Sequence, residues 1–213
     1  ERRMQLSNNP IILDDPVNSL DHFITAKLVE SGAEVTEYED SIRVTMDKAP
    51  KAINIKTLPY PGFPTDMQPQ FGTYLTLCSG SSLIVESIWE SRFQYTAELV
   101  KMGANISYHD RTAMFTGVKE LYGSPIKAMD LRAGAAMIIA GVMAHGKTEI
   151  YDIHHIDRGY ENMEEKFKKL GADEREIICD KESGKDLERV GYHELAHEIG
   201  CNTLDNVVDV FVK

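Results

Sequence analysis

Apolar positions along this chain switch between two periods in a repeating order. Residues 11–13 are a short apolar run that reads as a buried strand. Asp15-Pro16 then opens a helix with Leu20, Ile24 and Leu28 on one face and Phe23 beside them, and Gly32 ends it. Residues 35–38 and 41–45 alternate as strands around a turn at Glu39-Asp40, and residues 52–57 alternate again. The pattern then recurs: a strand over 83–88, a helix over 95–102 closed by Gly103, and strands over 105–108 and 113–116. Residues 131–144 predict a helix rich in alanine, glycine and methionine, apolar nearly all round and so buried on every side. A strand over 147–153 and a helix over 161–170, closed by Gly171, complete the series.

Three helix ends look alike: Leu28-Val-Glu-Ser-Gly32-Ala, Leu99-Val-Lys-Met-Gly103-Ala and Phe167-Lys-Lys-Leu-Gly171-Ala. Each glycine is expected in the left-handed conformation that lets a chain leave a helix for a strand. A second correspondence sets Glu90-Ser-Arg92-Phe93 against Ile156-Asp-Arg158-Gly159. A period of about 70 residues exceeds that of solenoid repeats and suits three α/β units, each holding a buried helix.

One stretch interrupts the alternation. In Tyr60-Pro-Gly-Phe-Pro-Thr-Asp66-Met-Gln-Pro-Gln70, two prolines and a glycine exclude a helix or central strand until Thr65 or Asp66 supplies an N-cap oxygen. Met67, Phe71, Tyr74, Leu75 and Cys78 follow at helical spacing, and Gly80 closes the element. Asp66 is therefore either a plain cap or a carboxylate presented by a stiff loop.

Charge narrows the partners. A net charge of −11 leaves no basic face for a nucleic-acid backbone, so anion binding must rest on a few arginines gathered locally. Arg132 follows Asp130 at the start of the alanine-rich helix, where a cation is unfavourable by about 0.3–1 kcal/mol unless an anion lies near. Either it pairs internally with Asp130 or Glu161, or it joins the helix N-terminus in an anion pocket. Arg92 and Arg158 hold matching places in successive repeats. Together the three suit a small, multiply charged anion such as a phosphorylated carboxylate.

With 42% apolar residues, the chain can build a core. Its three cysteines (Cys78, Cys179, Cys201) form no Cys-x-x-Cys pair, which favours reduced thiols and a cytoplasmic setting. No apolar run reaches the roughly 18 residues that span a bilayer, so no membrane partner is expected.

Phe63-Pro-Thr-Asp66-Met-Gln-Pro-Gln-Phe71, Glu90-Ser-Arg92-Phe93, Asp130-Leu-Arg132-Ala-Gly-Ala135 and His155-Ile-Asp-Arg158-Gly-Tyr-Glu161 occur in this order. They resemble the motifs of bacterial UDP-N-acetylglucosamine enolpyruvyl transferases, and the resemblance runs from about Pro10 to Ala172. It implies an inside-out α/β barrel of three βαβαββ-like units over residues 11–173, with 1–10 as lead-in and 174–213 as a C-terminal appendage. It also implies transfer of the enolpyruvyl group of phosphoenolpyruvate to the 3-hydroxyl of UDP-N-acetylglucosamine, without a cofactor. By motif, Asp66 resembles the general base, and Ile88 and Trp89 the contacts to the nucleotide sugar. Arg92, Arg132 and Arg158 resemble the arginines around phosphoenolpyruvate, and Asp130 an active-site acid. The resemblance covers only the family's C-terminal domain, so a complementary N-terminal domain or chain is expected to supply the rest of the site. The alternative is a non-catalytic binding module that keeps the fold.

The tail carries a competing signal. His193-Glu194-Leu-Ala-His197 has the His-Glu-x-x-His spacing of a zinc metallopeptidase, which places two imidazoles on one helix face for the metal with the glutamate as general base. A third ligand is needed, with Asp205 and Asp209 the downstream candidates. The expectation is that no metal is bound.

Overall fold

The computed structural model describes residues 11–14, 21–38, 41–161, 163–169, 177–179 and 210–212. They fall into two compact units divided between Leu121 and Tyr122.

The N-terminal unit holds two sheets. In the first, β1 (Ile11–Asp14) and β2 (Glu34–Glu37) each pair antiparallel with β3 (Ser41–Thr45), giving the order β1-β3-β2. Helix α1 (Asp21–Glu30) leads into β2 through Gly32, whose φ is +106°. There Gly32 N donates to Val29 O and Ala33 N to Leu28 O, both at 2.9 Å. Gly103, at φ +93°, closes its helix the same way, with Gly103 N donating to Val100 O and Ala104 N to Leu99 O at 3.0 Å. The first two of the three look-alike helix ends are thus one structural motif; Gly171 lies outside the described residues, as does the start of the first helix at Asp15-Pro16.

The second sheet has the order β4-β5-β7-β6, from β4 (Ile55–Lys56), β5 (Ser81–Val85), β6 (Asn105–His109) and β7 (Thr112–Thr116). β4 and β5 are parallel, and the other pairings are antiparallel. A 3₁₀ turn (Thr65–Met67) and α2 (Gln68–Leu75) lie between β4 and β5, and α3 (Thr96–Lys101) lies between β5 and β6. The chain order here is βαβαββ. The alternation over 52–57 is real, since Ile53 and Ile55 are buried, yet only two of its residues are strand. Side chains replace ladder bonds: Ile53 N donates to Ser82 Oγ at 3.1 Å, and Leu83 N to Asn54 Oδ1 at 2.9 Å. Phe71, Leu75, Ile84, Leu99 and Phe115 form the core between helices and sheet. Gly72 is required there, because any side chain would meet the buried Tyr95 hydroxyl.

In the C-terminal unit, β8 (Pro125–Lys127) and β9 (Thr148–Tyr151) are parallel, with α4 (Leu131–Met143) between them. β8 is absent from the sequence reading; its proline sits at the first residue, where a strand tolerates one. α4 buries Ala133 to Ile138, Ala140 and Gly141, the all-round burial that its composition predicts. The stretch around Arg158, between the strand expected over 147–153 and the helix expected over 161–170, is itself a short helix, α5 (His154–Gly159), followed by α6 (Met163–Lys169). Two glycines let α5 lie against α4. A methyl on Gly134 would stand 2.6 Å from Ile156 Cγ1, and one on Gly159 would collide with Leu131. β10 (Ile177–Cys179) and β11 (Val210–Val212) extend the sheet to the order β10-β11-β9-β8, all parallel. The helix read around His193 and His197 lies outside the described residues. No helix among the described residues is long and apolar enough to cross a membrane.

Candidate functional site

The motif residues of the N-terminal unit gather where parallel β4 and β5 end, the edge at which open α/β sheets bind ligands. The loop leaving β4 folds back on itself. Leu58 N donates to Phe63 O at 3.0 Å, the Tyr60–Pro61 peptide is cis, and Phe63 packs edge-on against Phe71 with ring centres 5.0 Å apart. The loop delivers Asp66 into the 3₁₀ turn. Cap positions fall on Pro64 and Met67, neither with a side-chain capping bond, instead of on Thr65 or Asp66 as the sequence predicted. Proline at the second position of α2 removes a donor that a cap would have had to satisfy.

Asp66 instead meets an arginine. Arg92 Nη2 donates to Asp66 Oδ1 at 2.7 Å. The Arg92 side chain is 15% exposed and that of Asp66 53%, so a largely buried cation presents a half-exposed carboxylate. Ile88 and Trp89, on the loop leaving β5, are exposed at the same edge.

Beneath them lies Glu86, which motif reasoning missed. It is fully buried. Its Oε1 accepts from Thr57 Oγ1 at 2.7 Å, Ile88 N at 2.8 Å and Trp89 N at 3.2 Å, and its Oε2 from Thr65 Oγ1 at 3.0 Å. Its phase could have revealed it: Ser82 and Ile84 share one face of β5 and face the core, and Glu86, the residue just after the strand, continues that period of two. Burial, and after it the Glu86 carboxylate, push the Tyr95 hydroxyl far above its ordinary range, while Arg92 and Gln68 oppose the shift.

In the C-terminal unit the same strand ends carry Asp130, Arg132 and Arg158. Asp130 is the N-cap of α4: its Oδ1 accepts from Arg132 N and Ala133 N, both at 2.8 Å. That carboxylate relieves the conflict between Arg132 and the positive end of the helix. The Arg132 guanidinium donates from Nη1 to the Tyr160 hydroxyl at 3.4 Å. Arg158 is exposed in the last turn of α5. The contact of Gly159 with Leu131 sets the two arginine-bearing segments side by side.

Cys78 is buried, and burial pushes its thiol up to about 12, so it stays protonated and unreactive at neutral pH. Among the described residues no group of three His, Cys, Asp or Glu side chains could hold a metal ion.

A β4–β5 edge with an arginine-held carboxylate, and a β8–β9 edge with a capped helix and two arginines, stand on a mixed α/β fold. Solved structures agree. The chain superposes on the enolpyruvyl transferase NikO from Streptomyces tendae with a TM-score of 0.69 at 24% identity, covering 80% of this chain and 41% of that one. On EPSP synthase from Acinetobacter baumannii the TM-score is 0.55 at 16% identity, over 75% and 42%. Residues 10–167 match the family model of EPSP synthase (3-phosphoshikimate 1-carboxyvinyltransferase), and the chain belongs to that family. Within it, the UDP-N-acetylglucosamine 1-carboxyvinyltransferase of Clostridium botulinum is 57% identical over 149 residues, 70% of this chain and 36% of the relative. The Symbiobacterium thermophilum enzyme of that name is 54% identical over 150 residues, 70% and 35%. The chain thus spans about a third of the length of the curated relatives it matches.

Proposed function

We propose that this chain supplies part of the active site of an enolpyruvyl transferase that moves the enolpyruvyl group of phosphoenolpyruvate to the 3-hydroxyl of UDP-N-acetylglucosamine. The observation that carries the proposal is the Arg92–Asp66 pair at 2.7 Å at the end of two parallel strands. Asp66 is the general base: a half-exposed carboxylate, held in place by an arginine, can take the proton of an incoming hydroxyl. Ile88 and Trp89 contact the nucleotide sugar. Arg132 and Arg158 bind the carboxylate and phosphate of phosphoenolpyruvate, a task for planar fork donors. Asp130, expected as an active-site acid, acts through the helix turn it caps, which fixes the direction of Arg132.

The barrel of three βαβαββ-like units belongs to the same proposal, supported by the βαβαββ order of the second repeat and the identical exits at Gly32 and Gly103. So does a complementary domain or chain, since the chain spans only about a third of its relatives. A cytoplasmic setting, expected from three cysteines without a Cys-x-x-Cys pair, is part of the same proposal.

The test is a chimera in which this chain replaces the matching segment of the Clostridium botulinum relative. Phosphate release dependent on both substrates, lost in Asp66→Ala, supports the proposal. A folded chimera, judged by circular dichroism, that binds neither substrate by calorimetry favours the non-catalytic module.

A further inference from the structure

The Glu86 carboxylate is fully buried and accepts four hydrogen bonds, two from threonines and two from backbone N–H groups, on segments that carry different parts of the site. A buried carboxylate in so many bonds locks its donors together, because losing it would orphan several buried groups at once. Thr57 doubles the link: Ser87 N donates to Thr57 Oγ1 at 2.8 Å, and Ser87 Oγ donates to Thr57 O at 2.5 Å. Arg111 braces the outer side, donating from Nη1 to Ser87 O at 3.1 Å and from Nη2 to Glu90 Oε1 at 2.8 Å. The loop leaving β5 is thus tied to the end of β4 on one side and to the β7 hairpin on the other.

We infer that Glu86 is a positioning residue for the transfer reaction, with Thr65 as its arm to Asp66 and the Ile88 and Trp89 amides as its arms to the sugar-contacting turn. This rests on the function proposed above, and it divides the labour within it. The Thr65 arm sets where the base stands, and the amide arms set the shape of the turn that holds the sugar nucleotide. A displacement of the base by about 1 Å costs up to about 10²-fold in rate, so a single hydroxyl matters.

The separating variants are Thr65→Val, Thr65→Ser and Glu86→Gln. Thr65→Val keeps the shape and removes only the hydroxyl. In the active chimera its kcat is expected to fall about tenfold or more with the KM for the sugar nucleotide nearly unchanged, and Thr65→Ser to restore it. Glu86→Gln keeps one acceptor oxygen and loses the charge; it is expected to raise that KM as well. A uniform loss in all three, tracking the melting temperature, would mean a merely structural role and overturn the inference.

A second readout needs no activity. Trp89 is the sole tryptophan, so its fluorescence in the 213-residue chain reports the turn directly. Hydrogen exchange at the Ile88 and Trp89 amides should speed up at least tenfold in Glu86→Gln. Unchanged exchange and emission would sink the inference even if the chimera is active. Faster exchange in an inactive chimera would sustain the lock while the proposed reaction falls.

Discussion

In the N-terminal unit the loop leaving β4 lends its carboxylate to an arginine from the turn that follows β5; in the C-terminal unit the loop leaving β8 gives its carboxylate to its own helix. Asp66 and Asp130 hold comparable places, each just after the first of two parallel strands and at the start of a buried helix. The difference lies in the first turn. Pro69 and the 3₁₀ lead-in relieve α2 of the need for a cap, so Asp66 is left to Arg92. α4 begins abruptly, with Asp130 extended at φ −151° and bound to two amides. The same residue type meets an arginine in one place and caps a helix in the other, and the first turn of the helix decides which.

The sharpest test sets Asp66→Asn against Asp130→Asn. Asparagine cannot take a proton but caps a helix as well as aspartate. Asp66→Asn should cost the chimera about 10²- to 10⁴-fold in kcat, the usual worth of a general base. Asp130→Asn should stay within a few-fold, while Asp130→Ala should lower stability by about 0.5–2 kcal/mol in thermal melts. Equal losses of kcat in both asparagine variants would erase the contrast.

A second test concerns how each unit sets its arginine. Arg92 is held by a carboxylate, whereas the Arg158 segment is set by close packing of Gly159 on Leu131. Gly159→Ala should cost about 1–3 kcal/mol, the usual penalty of overpacking. It should also raise the KM for phosphoenolpyruvate, because Leu131 adjoins Arg132. A melting temperature equal to that of the parent would show that α5 yields without cost.

The contrast was only half legible in the sequence. The exits at Gly32 and Gly103 could be read because a left-handed glycine and the following alanine form a local signal. α4 could be read because a helix apolar on all sides has one place to go. The roles of Asp66 and Asp130 could not be told apart, since both precede helices and both invite a cap reading. The deciding features are a 3₁₀ turn and an arginine 26 residues away. Glu86 escaped for the opposite reason: its strand phase was visible, but a lone acid in an alternating run is usually solvated. α5 was hidden because six residues are too few for a helical period to show.

Buried ionisable groups separate the units next. Burial pushes both Tyr74 and Cys78 of the N-terminal unit up to about 12, from ordinary values of 10 and 9. Their folded-state values are raised, so their contribution is complete below pH 9 and is lost as pH climbs through 12. In the C-terminal unit Tyr151 is raised chiefly by its bond to Glu149. The unfolding temperature should fall between pH 9 and 12, and Cys78→Ala should flatten the fall. An identical slope in that variant would assign the loss to other groups.

The smallest effect is expected where the functional claim is strongest. Arg92 and Asp66 form an ion pair with one partner half exposed, and such pairs contribute only about 0.2–1 kcal/mol. Arg92→Gln should therefore barely move the denaturation midpoint. It should nonetheless lower kcat if Asp66 is the base proposed above, because the carboxylate loses the Nη2 hydrogen bond that holds it. Adding 0.5 M salt should not reproduce the kinetic loss, since screening weakens the charge attraction but leaves the short hydrogen bond of a largely buried guanidinium in place. If Arg92→Gln instead unfolds the chain while kcat in the surviving folded fraction is normal, the pair is a brace for the β5 loop, and the N-terminal unit uses its carboxylate as the C-terminal unit does.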